Sequence, residues 1–126
     1  MAYIIDTSAW IEYLEGSIKG EKVHCILKER EEIFTIHIII AEIISKTKKN
    51  KENIEIAYNS IISNAKLFEI TPKIAKEAGI LHAETKAKLK SFALADALII
   101  CTARALNAKI ITLDNHFKSF KEAILI

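Results

Sequence analysis

Tyr3-Ile4-Ile5-Asp6-Thr7-Ser8-Ala9-Trp10 runs from three residues with strand preference into an aspartate, then two hydroxyl residues, then the start of a helical pattern. A buried strand that ends in a carboxylate at a helix start puts an acid at the rim of a sheet, where open α/β folds place their chemistry. Asp, Thr and Ser are also the residues favoured at a helix N-cap, so Asp6 read by itself is equally a cap. The rest of the chain has to decide between the two.

Working outward, residues 3–5 form a first strand and 7–14 a short helix, with Trp10, Ile11 and Leu14 on one face and Gly16 as its stop. A second helix is expected over 21–31, with Val23, Ile26 and Leu27 spaced for burial, and a second strand over 33–36. The pattern over 37–49 is helical, with Ile36, Ile40, Ile43 and Ile44 in phase. A further helix over 50–65 turns Ile54, Ala57, Tyr58, Ile61 and Ile62 inward, and residues 67–70 make a third strand. Thr71 and Pro72 begin the next helix as cap and first-turn proline, and Ile74, Ala78, Leu81, Thr85 and Leu89 continue it on one face. Residues 94–107 are apolar nearly all round, which marks a buried helix. A fourth strand over 109–112, a turn or short helix over 114–117 and a last strand over 123–125 complete the chain. Strands alternating with helices imply an α/β fold: a parallel sheet covered on both faces.

The 126 residues fit one domain, 1–126, and are long enough for a single sizeable core. An apolar fraction of 51% excludes a disordered chain. No run approaches the roughly 20 apolar residues of a membrane span. No secretory leader is legible, so the expected compartment is cytoplasmic. The Ile, Lys and Glu content, with three Gly and one Pro, resembles that of thermophile proteins. A net charge of +2 excludes a strongly basic nucleic-acid binder, so contact with a polyanion requires a local patch. The candidate is Lys46-Thr47-Lys48-Lys49-Asn50-Lys51, which is equally a solvated helix end complementing the helix dipole. Cys25 and Cys101 lack any zinc or redox spacing and read as reduced core residues.

Four acids stand apart from the solvated, lysine-rich faces: Asp6 at the end of the first strand, Glu42 within the isoleucine-rich third helix, Asp96 in the buried helix, and Asp114 after the fourth strand. Each has a plain alternative. Glu42 is placed to pair with Lys46 on the helix surface, worth only about 0.3–0.5 kcal/mol; Asp96 is placed to cap its helix; Asp114 suits a turn. Yet an ionised carboxylate in an apolar helix costs several kcal/mol unless it is paired or metal-bound. If the first and fourth strands flank a switch point, Asp6 and Asp114 face each other at its carboxyl edge. Two such charges about 4 Å apart repel by about 4 kcal/mol at an effective dielectric near 20, which calls for a cation. Oxygen ligands with no His or Cys partner select Mg²⁺ or Mn²⁺ over zinc. Ser8 and Thr112 supply hydroxyls to orient the carboxylates. Such a site suits metal-assisted phosphodiester hydrolysis.

These residues resemble the PIN-domain ribonucleases, especially the small VapC-type toxins of toxin–antitoxin pairs. The matching pieces are Ile5-Asp6-Thr7-Ser8-Ala9, Ala41-Glu42, Ala95-Asp96-Ala97-Leu98-Ile99 with Thr102-Ala103, and Ile111-Thr112-Leu113-Asp114 with Phe117. They run in the family's order and span nearly the whole chain. The resemblance implies a three-layer α/β/α sandwich around a parallel sheet of about five strands. It implies a Mg²⁺/Mn²⁺ site from Asp6, Glu42, Asp96 and Asp114, endonucleolytic cleavage of RNA, dimerisation, and inhibition by a cognate antitoxin. Many members carry a further acid two residues after the last one; here that position is His116.

His24, His37 and His82 show no ligand spacing and read as surface or half-buried side chains, while His116 is near enough to touch a phosphate or merely to belong to the turn. Trp10 reads as core, with stacking on a base as its alternative, and Tyr13, Tyr58 and Phe68 as core or interface. Two other functions stay in view. A haloacid-dehalogenase-like phosphatase also has an aspartate after its first strand but needs Asp-x-Asp, and Ser8 occupies the second position. A degenerate, non-cutting PIN-like module would hold RNA or a partner protein.

Overall fold

A computed structural model describes residues 1–29 and 31–126. Five parallel strands, β1 (Ala2–Ile5), β2 (Glu32–Thr35), β3 (Lys66–Leu67), β4 (Ala108–Thr112) and β5 (Ala123–Leu125), lie in the order β3-β2-β1-β4-β5. Six helices cover the sheet: α1 (Thr7–Glu15), α2 (Ile18–Lys28), α3 (His37–Lys49), α4 (Ile54–Asn64), α5 (Pro72–Lys86) and α6 (Leu94–Leu106). α1 packs on α2 and α3, and α3 on α4, while α5 packs on α6, which rests on β1 and β4. The result is the expected three-layer α/β/α sandwich.

Ile4 and Ile5 are both fully buried although their side chains point to opposite faces, because helices cover both sides of β1. From β1 the chain steps to β2 and β3 on one side, and β4 and β5 fill the other, so the order reverses between β1 and β4. Ile4 pairs with Ile110 and Ile5 with Ile111, and the Asp6 N–H donates to the Ile111 carbonyl at 2.9 Å. Asp6 and the residues after Thr112 are thereby brought to one crevice at the carboxyl edge. Among the described residues no helix is long and apolar enough to cross a membrane.

Most elements fall where the pattern puts them, and the departures have local causes. α2 starts at Ile18, not at 21, because Ser17 caps it by accepting the Gly20 N–H at 3.0 Å. The expectation for 29–31 was wrong at Glu29, which is the C-cap, and part of it falls on Arg30, outside the described residues. α4 starts late, at Ile54, because Asn53 accepts the Ile56 N–H at 3.1 Å and Lys51 takes a positive φ of 58°. Tyr58 and Ile62 on α4 are 43% exposed, so its buried stripe is narrower than its apolar composition, and Cys25 is exposed rather than core. β3 is only two residues of edge strand, and Leu89 lies beyond the end of α5. α6 is buried on one broad face only: Leu94 and Ala105 are exposed. Trp10 is fully buried, which excludes stacking on a base.

Gly20 holds α2 against α1 at a spacing no larger residue allows. A Cβ there would lie 2.2 Å from the Glu12 carbonyl oxygen and 2.9 Å from the Tyr13 Cα, both backbone atoms that cannot turn away. Ala is the better helix former by about 1 kcal/mol, but overpacking against fixed atoms typically costs about 1–3 kcal/mol. Gly20→Ala is therefore expected to lower the urea midpoint at unchanged slope; a higher midpoint would show that α1 and α2 separate freely.

Candidate active site

Asp6 stands at the N-cap position of α1 with extended backbone (φ −68°, ψ 158°), yet its side chain makes no capping hydrogen bond. Its Oδ2 instead accepts the Ser8 Oγ hydroxyl at 3.0 Å and the Thr112 Oγ1 hydroxyl at 2.8 Å. Those hydroxyls are anchored in turn by the Leu113 N–H, which donates to Ser8 Oγ at 3.1 Å, and the Asp114 N–H, which donates to Thr112 Oγ1 at 2.9 Å. The end of β4 therefore fixes the carboxylate at the end of β1 through two hydroxyls. Asp6 is only 5% exposed.

Glu42, half-buried on α3, accepts the Thr7 Oγ1 hydroxyl at 2.7 Å, and among the described residues no ion pair joins it to Lys46. Asp96 is not deep within a wholly buried helix: it sits in the first turn of α6, where Oδ2 accepts the Ala93 N–H at 2.9 Å. Its capping role is real, though from the third helical position and not the first. Asp114 accepts the His116 N–H at 2.9 Å and opens the one-turn 3₁₀ helix Asn115–Phe117, so it serves the turn as well. These local duties do not remove the acids from the crevice. Asp6, Glu42, Asp96 and Asp114 line one cleft of about 510 Å³ with Thr7, Ser8, Ser45 and Lys46.

Two features escaped the sequence reading. Thr7 orients Glu42 across 35 residues of sequence, and no local pattern announces that contact. The His116 ring also turns to the acids, with Nδ1 3.3 Å from Asp114 Oδ1 and 3.8 Å from Asp96 Oδ2. Of the lysine cluster, Lys46 lines the acidic cleft, whereas Lys48, Lys49 and Lys51 line a neighbouring groove with Glu52.

The electrostatics follow from crowding acids where water is scarce. Burial raises the Asp6 carboxyl above its ordinary value; the Thr112 and Ser8 hydroxyls oppose this, and the Asp96 charge adds to it. Burial likewise raises Asp96; the Ala93 N–H and His116 oppose, and Asp114 and Glu42 add. Among the described residues no three acidic, His or Cys side chains form a ready-made ion cage. The chemistry of the donor set nonetheless fits a hard divalent cation: four carboxylates in one cleft, two of them destabilised as anions by burial and by each other.

A parallel α/β/α sandwich with acids gathered where its strand order reverses is the class to which this fold and site belong. The PIN domain family model matches residues 3–123, so the chain belongs to the PIN domain family. Solved structures of similar fold include a toxin–antitoxin complex from Klebsiella pneumoniae (21% identity over 97% of this chain and 95% of that one, TM-score 0.76). VapBC2 from Rickettsia felis bound to a DNA fragment from its promoter is similar at 22% identity (100% and 98% covered, TM-score 0.76). VapC20 from Mycobacterium tuberculosis, a sarcin-ricin loop cleaving toxin, is similar at 13% identity (94% and 95% covered, TM-score 0.73). No curated protein sequence matches the chain.

Proposed function

We propose that this chain is a Mg²⁺- or Mn²⁺-dependent endoribonuclease, a single cytoplasmic domain over 1–126, and the toxin of a toxin–antitoxin pair. The observation that carries the reading is the convergence of Asp6, Glu42, Asp96 and Asp114 on one cleft of a PIN-family fold. Asp6, Asp96 and Asp114 hold the ion, and Glu42 joins them directly or through a water. Bound there, the ion supplies activation of the attacking water and neutralisation of charge on the phosphate oxygens.

The chain's own residues prepare that site. Ser8 and Thr112 lock Asp6 in one rotamer through hydroxyls that are themselves held by backbone N–H groups, so ordering this ligand costs little entropy when the substrate arrives. Thr7 does the same for Glu42. Lys46 offers the acidic cleft its cation at the rim, placed for a backbone phosphate of RNA. An antitoxin partner and a homodimer are proposed by likeness to the Klebsiella toxin–antitoxin complex and the Rickettsia VapBC2 assembly. The apolar groove between α1 and α4, lined by Ile11, Leu14, Ile56 and Ala57, is a surface that suits a partner segment. The phosphatase reading lacks its second aspartate, because Ser8 stands there and is spent on Asp6.

The test is cleavage of labelled total RNA. Cutting is expected with Mn²⁺ or Mg²⁺ and none with EDTA. RNA retained without cutting, with or without the ion, would favour the binding-module reading instead.

A further inference from the structure

His116 stands where the other acid-site side chains leave a charge problem unsolved. Its Nδ1 lies 3.3 Å from Asp114 Oδ1 and 3.8 Å from Asp96 Oδ2, yet the ring makes no hydrogen bond to either among the described residues. No Lys or Arg pairs with Asp96 or Asp114 among the described residues. Three donor atoms from three directions therefore face one spot. Their positions are fixed by the fold. Phe117, fully buried, anchors the 3₁₀ turn that carries His116, and the His116 N–H is bonded to Asp114 Oδ1 at 2.9 Å. Asp96 is held from the other side by the Ala93 N–H.

We propose that the His116 imidazole is a nitrogen ligand of the ion that Asp96 and Asp114 hold, and that it tunes the site toward Mn²⁺ over Mg²⁺; this rests on the metal-site reading above. A neutral imidazole presents a lone pair on one ring nitrogen while the other carries the proton. An all-oxygen set suits Mg²⁺, whereas an added imidazole suits first-row transition ions and does little for Mg²⁺. A further carboxylate at this position would add charge and keep the site hard; the imidazole adds a softer donor and no negative charge.

The experiment is pulsed electron paramagnetic resonance on the full chain loaded with Mn²⁺, with calorimetric titrations of Mn²⁺ and Mg²⁺ beside it. Wild type is expected to show ¹⁴N modulation from one coordinated imidazole. His116→Gln and His116→Asp, checked for folding by circular dichroism, are expected to lose it while still binding Mn²⁺. In His116→Asp the ratio of Mn²⁺ to Mg²⁺ affinity should fall by roughly tenfold, the scale on which single groups at a metal site act. Bound Mn²⁺ without nitrogen coupling in wild type would overturn the proposal and leave the acidic site standing; it would make His116 a counter-charge that the ion displaces. Coupling that persists in both variants would also overturn it, assigning the nitrogen to another side chain. No Mn²⁺ binding by wild type would overturn the proposal and the metal-site reading together.

Discussion

RNA cleavage by Asp96→Asn is expected to fall by about three orders of magnitude, equivalent to about 4 kcal/mol of barrier, while the protein stays folded. The variant separates the two duties of this side chain. Its capping duty is to accept the Ala93 N–H, and an amide oxygen accepts that bond as well as a carboxylate does. The first turn of α6 therefore keeps its cap. The anionic duty has no substitute: an amide oxygen is a poor ligand for Mg²⁺ beside three carboxylates. Relief of the repulsion from Asp114 and Glu42, which raise the Asp96 carboxyl above its ordinary value, works in favour of folding. The check is the initial rate of cutting of labelled RNA beside a melting curve. A variant that cuts at the wild-type rate would remove Asp96 from the site.

That double duty explains why the site was legible in the sequence and why its geometry was not. Each of the four acids breaks a local rule. Asp6 ends a strand of buried isoleucines, Glu42 interrupts Ile38–Ile44, Asp96 opens an apolar helix, and Asp114 ends β4. Such violations stand out without any long-range knowledge. The strand order followed from the alternation of elements and brought Asp6 and Asp114 to one edge. The alternatives of cap and turn were not rivals to the site for Asp96 and Asp114, because one oxygen serves the backbone while the side chain still lines the cleft. What stayed hidden depends on rotation or on distance. Four consecutive isoleucines, 38 to 40 after Ile36 with Ile43 and Ile44 beyond, do not reveal which of them faces in; Ile39 and Ile43 do so fully, Ile40 and Ile44 only half. Cys25 lies between buried Val23 and half-buried Ile26, yet turns outward because each residue steps about 100° around the helix. Gly20 reads as a helix breaker until the neighbouring helix shows why only glycine fits. The Thr7–Glu42 bond and the approach of His116 to Asp96 join segments that no local pattern connects.

Asp6→Asn is expected to reverse sign with the ion. In EDTA at neutral pH the variant should melt at a higher temperature than wild type. Burial raises the Asp6 carboxyl in the folded protein above its value in the unfolded chain, so the unfolded state gives up the proton first. The group's penalty is absent below the ordinary carboxyl value and grows as pH rises through the raised one. An amide carries no such penalty, and its oxygen still accepts the Ser8 and Thr112 hydroxyls. The gain in melting temperature should therefore be full at neutral pH and shrink as pH falls through the raised Asp6 value toward the ordinary one. With Mn²⁺ at about a hundred times its dissociation constant, wild type gains about 2.7 kcal/mol from binding. The variant, short of one ligand, gains less, and the order of the two melting temperatures inverts. Scanning calorimetry of both proteins, with EDTA and with Mn²⁺, reads all of this. A variant that is less stable than wild type in EDTA would mean that the bonds from Ser8 and Thr112 outweigh the buried charge, making Asp6 a structural carboxylate. The inversion would show the opposite: a fold that tolerates an unfavourable buried anion at β1 because the ion, when bound, makes it favourable.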